Sequence, residues 1–277
     1  MTTLVSVSVS GAGRSGAVLA TRPRPPRPST LSASLAFARR ALLKIRRTPV
    51  QIFDIAVHPV VFTLMFTYLF GGAVGGSTGK YVGYLVPGIL VMTLLVTTGT
   101  TGAALSVDLA DGAFDRYRTL SIRPAAPLIG AMLSDAIRYV LASAVVVGLG
   151  LALGFRPHGN VLGVAAAVLL VVAFGISLSW VWATLALLMR SPGAVLSVSQ
   201  ALLYPLSLFS NIFVDPATLP GWLHAFVDVN PVTHLVTAGR ELMAGGAPGP
   251  QLAWILIACT VLTVVFAPLS VRLLRTR

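Results

Sequence analysis

The chain has 277 residues, of which 56% are apolar and only 10% are charged, and its mean hydropathy is +0.87. Because a soluble domain carries about 25% charged residues, this chain has too few charges to cover a surface that faces water. The composition argues against a soluble enzyme and against a disordered chain, and it indicates a protein that crosses a membrane several times. The net charge of +12 fits this class without a nucleic-acid partner, since membrane proteins gather Lys and Arg in cytoplasmic segments.

The segment before the first apolar run divides into two parts. Residues 1–30 are rich in Ser, Gly, Arg and Pro, which predicts a disordered cytoplasmic tail. Residues 31–48 place an apolar arc, which includes Leu42, opposite a basic face, which includes Lys44, at the helical step of about 100° per residue. We predict an amphipathic helix on the inner membrane surface that Pro49 ends.

Six later segments are each apolar over about 20 residues, the length that a helix needs to cross the hydrocarbon core. Continuous apolar runs predict helices rather than the strands of a membrane β-barrel, whose residues alternate. The predicted fold is therefore an all-α integral membrane protein with six transmembrane helices. The predicted spans are residues 55–74, 84–105, 133–155, 161–188, 194–214 and 252–271.

The basic residues set the orientation of these spans. All but three of the 20 Lys and Arg residues fall on one side of the predicted topology, and the exceptions are Lys80, Arg156 and Arg240. We therefore expect both termini in the cytoplasm, which an even number of spans permits. The predicted location is a plasma membrane of the bacterial inner-membrane type.

No motif for energy conversion accompanies the spans. The stretch VGGSTGKY at residues 74–81 resembles a phosphate-binding G-x-x-x-x-G-K-[ST] loop, but Val74 and Tyr81 occupy the first glycine and the Ser/Thr positions. We therefore expect that the chain is not an enzyme and binds no ATP, Mg²⁺ or metal of its own. The four histidines are scattered, and the single Cys259 allows no disulfide.

Ionisable residues in the spans would favour a proton-coupled secondary transporter as an alternative. The candidates are Asp54 with His58 and Asp135 with Arg138. Both pairs are spaced to neutralise each other along one helix, and both fall near the predicted ends of spans, so we interpret them first as boundary charges. A membrane-embedded enzyme is a weaker third alternative. Its polar candidates are His224, Asp228, His234 and Glu241.

The first of two informative connections is the cytoplasmic loop at residues 106–125. It interleaves acidic, basic and apolar side chains, which suits docking into a groove of a soluble partner. Phe114, Tyr117 and Leu120 recur every three residues, so a short helix would present them along one edge. Gly112 would break or start that helix.

The second connection, residues 215–251, is expected on the outer side of the membrane. It holds two apolar pieces, each led by Pro, around residues 222–226 and 232–242. Both are too short to span a bilayer, so we expect this helical hairpin to lie in the interface or to re-enter the membrane. Trp222 suits an interfacial anchor.

These connections resemble those of ABC-2 type transporter permeases, and the daunorubicin-resistance (DrrB-like) branch in particular. The resemblance covers about residues 37–277. Its strongest part is Tyr204-Pro205 through Asn211 and Phe213, then Leu219-Pro220-x-Trp222-Leu223, Asn230-Pro231 and Arg240. A second part is Asp111-Gly112, Asp115-Arg116-Tyr117-Arg118-Thr119-Leu120, Gly130, Asp135 and Arg138. The sequence departs from the family pattern at Ser121 and Ala131, where the family often has Pro and Arg.

The resemblance implies a type V exporter-like ABC-2 domain over residues 31–277 that works as a dimer, with a second copy as the other permease subunit. Two copies of a cytosolic ABC ATPase would hold ATP and Mg²⁺. Residues 31–48 would be the connecting helix, the 106–125 loop would include the coupling helix, and the hairpin 215–251 would cap the exit. The implied function is the permease subunit of an ATP-driven exporter for a hydrophobic or amphiphilic solute, such as a drug, an antibiotic or a lipid.

Three groups of site residues follow from this comparison and from the spans. The residues expected to couple to the ATPase are Asp111, Gly112, Phe114, Asp115, Arg116, Tyr117 and Leu120. The residues expected to form the hairpin are Pro220, Trp222, Asn230, Pro231, Arg240 and Glu241. The translocation path is expected along spans two and five, at Met92, Thr97, Thr100, Tyr204, Ser207, Phe209 and Asn211. These path residues are apolar or neutral and polar, which favours an amphiphilic solute.

Overall fold

The computed structural model describes residues 36, 39, 43, 49–70, 78–112, 125–157, 159–189, 191–213 and 220–276. From residue 49 onward these residues form eight helices, and no strand occurs among them. The helices are α1 (Pro49–Phe70), α2 (Thr78–Ala110), α3 (Ala125–Ala152), α4 (Val161–Leu188), α5 (Pro192–Leu208), α6 (Gly221–Val229), α7 (Pro231–Ala244) and α8 (Gly249–Thr276). The prediction of an all-helical membrane protein is confirmed. The predicted amphipathic helix at 31–48 lies outside the described residues, apart from three isolated positions.

Four of the helices, α2, α3, α4 and α8, are long and apolar enough to cross a bilayer. Helix α1 has a shorter apolar part, Val57–Leu69, and α5 has 17 residues. The predicted second, third, fourth and sixth spans therefore have clear counterparts. The total of six spans and the side of the termini stay predictions.

The ends of α4 and α5 follow from side chains that the sequence places there. Helix α4 begins after Asn160, whose side chain accepts a hydrogen bond of 2.9 Å from the amide of Gly163. Helix α5 begins after Ser191, whose hydroxyl accepts one of 3.4 Å from the amide of Ala194. Both are good N-cap residues because they satisfy an amide that has no partner inside the helix.

The predicted fifth span, residues 194–214, extends too far at its carboxyl end. Helix α5 ends at Leu208, and the chain continues through turns to Phe213. The break comes shortly after Pro205, which lies inside the helix and has no amide hydrogen to donate. The segment beyond it remains apolar, so hydropathy does not mark the end of this helix.

Helix α2 is the centre of the fold and packs against α1, α3, α4, α5 and α7. Its side chains Leu85, Ile89 and Leu94 are buried almost completely. Helix α8 lies at the periphery against α4 and α7 and leaves Ile257 and Val264 exposed. An apolar helix with an exposed apolar face is expected where the surroundings are lipid.

Candidate functional site

The hairpin helices α6 and α7 meet at Asn230, which also fixes them to the broken end of α5. The side-chain oxygen of Asn230 accepts a hydrogen bond from the amide of Val232 and so caps α7. Its side-chain nitrogen donates to the carbonyls of Leu206 and Phe209, at 2.8 and 2.7 Å. Carbonyls at a helix end have no partner in the helix, so this one buried amide completes the ends of two helices.

Arg240 on α7 binds three backbone carbonyls at the same place. Its Nε donates to the carbonyl of Tyr84 on α2 at 3.1 Å. Its Nη2 donates to the carbonyls of Asn211 and Ile212 at 2.8 and 3.3 Å. The guanidinium carbon also lies 3.6 Å from the centre of the Tyr84 ring, which is a cation–π contact.

Further contacts close this group, which we call the Arg240 clasp: Tyr84, Asn211, Ile212, Thr237 and Arg240. The hydroxyl of Tyr84 donates to the carbonyl of Asn211 at 3.1 Å. The side-chain nitrogen of Asn211 donates to the hydroxyl of Thr237 at 2.8 Å. The clasp therefore joins α2, the turn after α5 and α7 within one set of hydrogen bonds.

The other predicted hairpin residues lie around the clasp. The two predicted apolar pieces are the helices α6 and α7, each preceded or opened by a proline: Pro220 is the N-cap of α6, and Pro231 is the first residue of α7. The backbone of Trp222 lies in the first turn of α6. Glu241 is half-buried beside Arg240 in sequence. Which side of the membrane this hairpin occupies stays a prediction.

A second polar group joins α2, α3 and α4 within the apolar helices. The predicted pairing of Asp135 with Arg138 is confirmed, with 3.1 Å between Oδ1 and Nη1. Arg138 also donates from Nη2 to the hydroxyl of Thr100 on α2 at 3.3 Å. The hydroxyl of Tyr139 lies 3.2 Å from that of Thr101 on α2 and 2.7 Å from that of Ser179 on α4.

The predicted path residues differ from one another in burial. Met92, Ser207 and Asn211 are buried, and the hydroxyl of Ser207 donates to the carbonyl of Leu203 in its own helix. Thr97 and Thr100 are half-buried on α2. Tyr204 on α5 and Phe209 directly after α5 are exposed, and Phe209 meets the ring of Phe226 on α6 edge to face. The structure thus separates three residues that pack inside from four that reach the surface.

Most of the predicted coupling residues lie outside the described part of the chain. Asp111 and Gly112 directly follow α2, and Gly112 has a φ of +65°, a left-handed conformation that glycine adopts readily and that ends the helix. The residues not described are Phe114, Asp115, Arg116, Tyr117 and Leu120. Within the described residues, no three His, Cys, Asp or Glu side chains come together in a way that could hold a metal ion.

A model of the ABC-2 type transporter family matches residues 33–244, a range that contains α1 to α7, the clasp and the second polar group. The chain belongs to this family. The Daunorubicin resistance ABC transporter permease protein DrrB1 of Streptomyces coeruleorubidus is 44% identical over 265 residues, which cover 96% of this chain and 94% of that protein.

More distant relatives come from Mycobacterium tuberculosis. The Probable doxorubicin resistance ABC transporter permease protein DrrC is 25% identical over 245 residues, 87% of this chain and 88% of that protein. The Doxorubicin resistance ABC transporter permease protein DrrB is 25% identical over 185 residues, 66% of this chain and 64% of that protein. With its long apolar helices, this ABC-2 family member is a multi-pass protein of the bacterial plasma membrane.

Sequence reasoning missed several residues of these sites. Tyr84 gave no signal beyond marking the start of a span, although its ring and its carbonyl both contact Arg240. Tyr139 and Ser179 lie in continuous apolar runs, and only their hydroxyl groups hint at a buried hydrogen bond. A polar residue inside an apolar helix has to find a partner, so each one is a useful candidate for a contact between helices.

Proposed function

We propose that this ABC-2 family member is the membrane permease subunit of an ATP-driven exporter for a hydrophobic or amphiphilic solute, with drugs of the daunorubicin type as the first candidates. The observation that carries the proposal is the 44% identity to a permease named for daunorubicin resistance, which extends over 96% of this chain. Identity at that level over nearly the whole chain favours a shared role.

The proposed complex holds two copies of this chain and two copies of a cytosolic ABC ATPase. The residues 74–81 lack the first glycine and the final Ser or Thr of a phosphate-binding loop, so ATP and Mg²⁺ would bind to the partner subunits alone. The proposed topology has six spans, with α1 and α5 as the first and fifth and with both termini in the cytoplasm. The excess of basic residues before α1 and the arginines at the carboxyl end of α8 support this orientation.

Helix α2 offers a mechanical connection between the ATPase and the hairpin. It has 33 residues, so it is about 50 Å long. Near one end, Tyr84 contacts Arg240 of the clasp, and its other end leads into the proposed coupling loop. A movement of that loop would tilt α2 and change the packing at the clasp, so that ATP binding biases the protein between two packed states.

The first experiment tests the partner. The chain is tagged, extracted from the native membrane in mild detergent, and the proteins that co-purify in stoichiometric amount are identified. We expect an ATPase that carries phosphate-binding motifs. We expect that Phe114, Tyr117 and Leu120 changed together to Ala lose it, because these side chains are the proposed anchors. The matched control changes Val161, Leu162 and Leu169 to Ala, three exposed side chains on α4.

The second experiment tests the energy source. Inverted membrane vesicles that contain the complex are supplied with daunorubicin, with or without ATP and with or without an uncoupler. The proposal predicts uptake that needs ATP and that persists in the uncoupler. Uptake that proceeds without ATP and stops in the uncoupler would contradict it and would favour a proton-coupled transporter.

A further inference from the structure

The ends of three helices pack together beside the proposed coupling loop. Helix α2 leads into that loop and α3 follows it, so these two helices flank the loop on either side. Leu105 near the end of α2, Leu128 and Met132 near the start of α3, and Leu187 near the end of α4 are buried in one apolar cluster. We call these four packed residues and the helix ends that carry them the loop base.

Tyr139 on α3 connects the same three helices about two helical turns beyond Met132. Its side chain is fully buried. Its hydroxyl lies 2.7 Å from that of Ser179 on α4 and 3.2 Å from that of Thr101 on α2. Because Ser179 donates its own proton to the carbonyl of Gly175 at 2.8 Å, its oxygen accepts the proton of Tyr139. One hydroxyl on α3 therefore contacts both neighbouring helices.

The ring and the hydroxyl of Tyr139 contribute different things to this contact. A Cβ added to Gly175 would stand 3.1 Å from Cδ2 of Tyr139, so the ring lies directly against the backbone of α4. Apolar packing is non-directional and sets how far apart the helices lie. A hydrogen bond depends on angle as well as distance, so the hydroxyl also fixes how α3 and α4 are turned relative to each other.

Other polar contacts at this depth join the helices only in pairs. Arg138 on α3 donates to the hydroxyl of Thr100 on α2 at 3.3 Å. The ring nitrogen of Trp182 on α4 donates to the hydroxyl of Thr98 on α2 at 3.2 Å. These two bonds hold α3 and α4 to α2, whereas Tyr139 holds α3 and α4 to each other as well.

Helix α4 carries this connection to the hairpin at its other end. The amide of Gly159, just before α4, donates to the carbonyl of Met243 on α7 at 3.1 Å. A Cβ on Gly163, in the first turn of α4, would overlap the carbonyl oxygen of Leu242 on α7. The start of α4 thus lies directly against the end of α7, and a movement of the loop base would reach the hairpin through α4 as well as through α2.

We propose that the hydroxyl of Tyr139 is a positioning group that makes the loop base move as one rigid unit when the ATPase moves the coupling loop. The proposal rests on the proposed function and deepens it, since it names a residue that carries the movement into α4. Coupling between distant sites is carried by rigid packed elements of this kind. Without the hydroxyl, α4 would turn against α3, and part of the loop movement would be lost before it reached α7.

The first test compares daunorubicin uptake with ATP hydrolysis in the same vesicles for the wild-type complex and for Tyr139→Phe. This change removes the hydroxyl and keeps the ring. We expect uptake per ATP hydrolysed to fall about fivefold, as the loss of one buried hydrogen bond predicts, while hydrolysis persists. Ser179→Ala removes the same bond from the side of α4 and should give the same fall. The double variant should be no worse than either single one.

The ratio of uptake to hydrolysis separates positioning from a purely structural role. A structural role would reduce the amount of folded complex, so uptake and hydrolysis would fall together and their ratio would stay constant. An unchanged ratio in Tyr139→Phe would therefore overturn the proposal. The matched control is Tyr68→Phe, the same chemical change on a side chain of α1 that is 71% exposed, and it should behave like the wild type.

The second test reads the rigidity of the loop base directly and does not depend on the energy source. Spin labels are attached to cysteines at Val107 on α2 and Leu188 on α4, two exposed positions, in a chain with Cys259→Ala. The purified protein is mixed with an excess of unlabelled chain, and the distance between the two labels is measured by pulsed electron resonance. We expect a narrow distribution in the otherwise wild-type chain and a broader or shifted one with Tyr139→Phe.

Equal distance distributions with and without the Tyr139 hydroxyl would overturn the proposal, because the loop base would then be rigid without it. The proposed function is judged separately by the wild-type complex. Uptake that proceeds without ATP would contradict the exporter, whereas the distance distributions would still decide whether Tyr139 holds the loop base together.

Discussion

The guanidinium of Arg240 reaches three carbonyls because its donors form a fixed planar fork. Two of these carbonyls, those of Asn211 and Ile212, lie beyond the end of α5, and the third belongs to Tyr84 on α2. A lysine carries the same charge as a single point on a flexible stem, so it could not bind all three in this geometry. The role of Arg240 therefore depends on its shape as well as on its charge.

Arg240→Met should lower the free energy of unfolding by about 3 kcal/mol, since it leaves buried carbonyls without charged donors, and Arg240→Lys should lose less. Thermal unfolding in detergent and daunorubicin uptake into vesicles would be measured for both variants. Arg156→Met, which removes an exposed arginine, is the control and should match the wild type. Wild-type stability of Arg240→Met would show that the clasp does not hold α7 to α2.

The ion pair between Asp135 and Arg138 is a second feature that depends on single side chains. Either Asp135→Asn or Arg138→Gln alone should cost about 3 kcal/mol of stability, because the remaining charge is left uncompensated in an apolar helix. The double variant should regain part of this loss, which a double-mutant cycle of unfolding free energies measures. Strictly additive losses would contradict the coupling. If the double variant still exported with ATP, a proton-carrying role for Asp135 would be excluded.

At the scale of elements, close approach of backbones holds α2 to the turn after α5. A Cβ added to Gly88 of α2 would stand 2.6 Å from the carbonyl oxygen of Ile212, which also accepts from Arg240. The glycine thus permits the approach that brings Ile212 within reach of the clasp. Overpacking at such a contact typically costs 1 to 3 kcal/mol.

Gly88→Ala should therefore lower the free energy of unfolding by about 2 kcal/mol and weaken export. Gly83→Ala is the matched control, because it lies on the same helix and a Cβ there would meet no atom within 4 Å. This control should be neutral or stabilise the helix slightly, since alanine favours helix more than glycine. Thermal unfolding of the two variants under the same conditions decides between these outcomes, and equal stability would refute the close contact.

At the scale of the whole molecule, α2 is the one described helix that runs from the clasp to the proposed coupling loop. Ala104 is exposed in the half of α2 that leads to the proposed coupling loop. A substitution there therefore changes little packing. Ala104→Pro removes an amide donor and clashes with the preceding turn, which interrupts the helix between its two ends. The substitution thus tests whether a movement of the coupling loop is transmitted along α2 to the clasp.

The Ala104→Pro complex should keep its ATPase subunits and basal ATP hydrolysis but lose most of its daunorubicin uptake. Ala104→Ser retains the amide and the size of the side chain and should export normally. ATP hydrolysis and uptake would be measured in the same vesicles. Normal uptake by the proline variant would argue that the coupling movement travels by another helix.

The sequence by itself determined the class of protein and much of its local structure. Composition and continuous apolar runs predict membrane helices because these signals are local and need no partner. The i, i+3 spacing placed Asp135 beside Arg138 for the same reason. The prolines at 220 and 231 mark the starts of the two hairpin helices in the sequence alone.

Only the tertiary structure decided which polar groups meet across the fold. Arg240 and Tyr84 are separated by 156 positions, and Asn211 and Tyr84 by 127, so no local pattern relates them. The end of α5 at Leu208 and the contact between Tyr139 and Ser179 likewise depend on what packs beside them. Hydropathy reflects only whether a residue favours leaving water. A hydrogen bond also depends on where the partner of that residue lies, and the position of the partner is set only once the helices are packed.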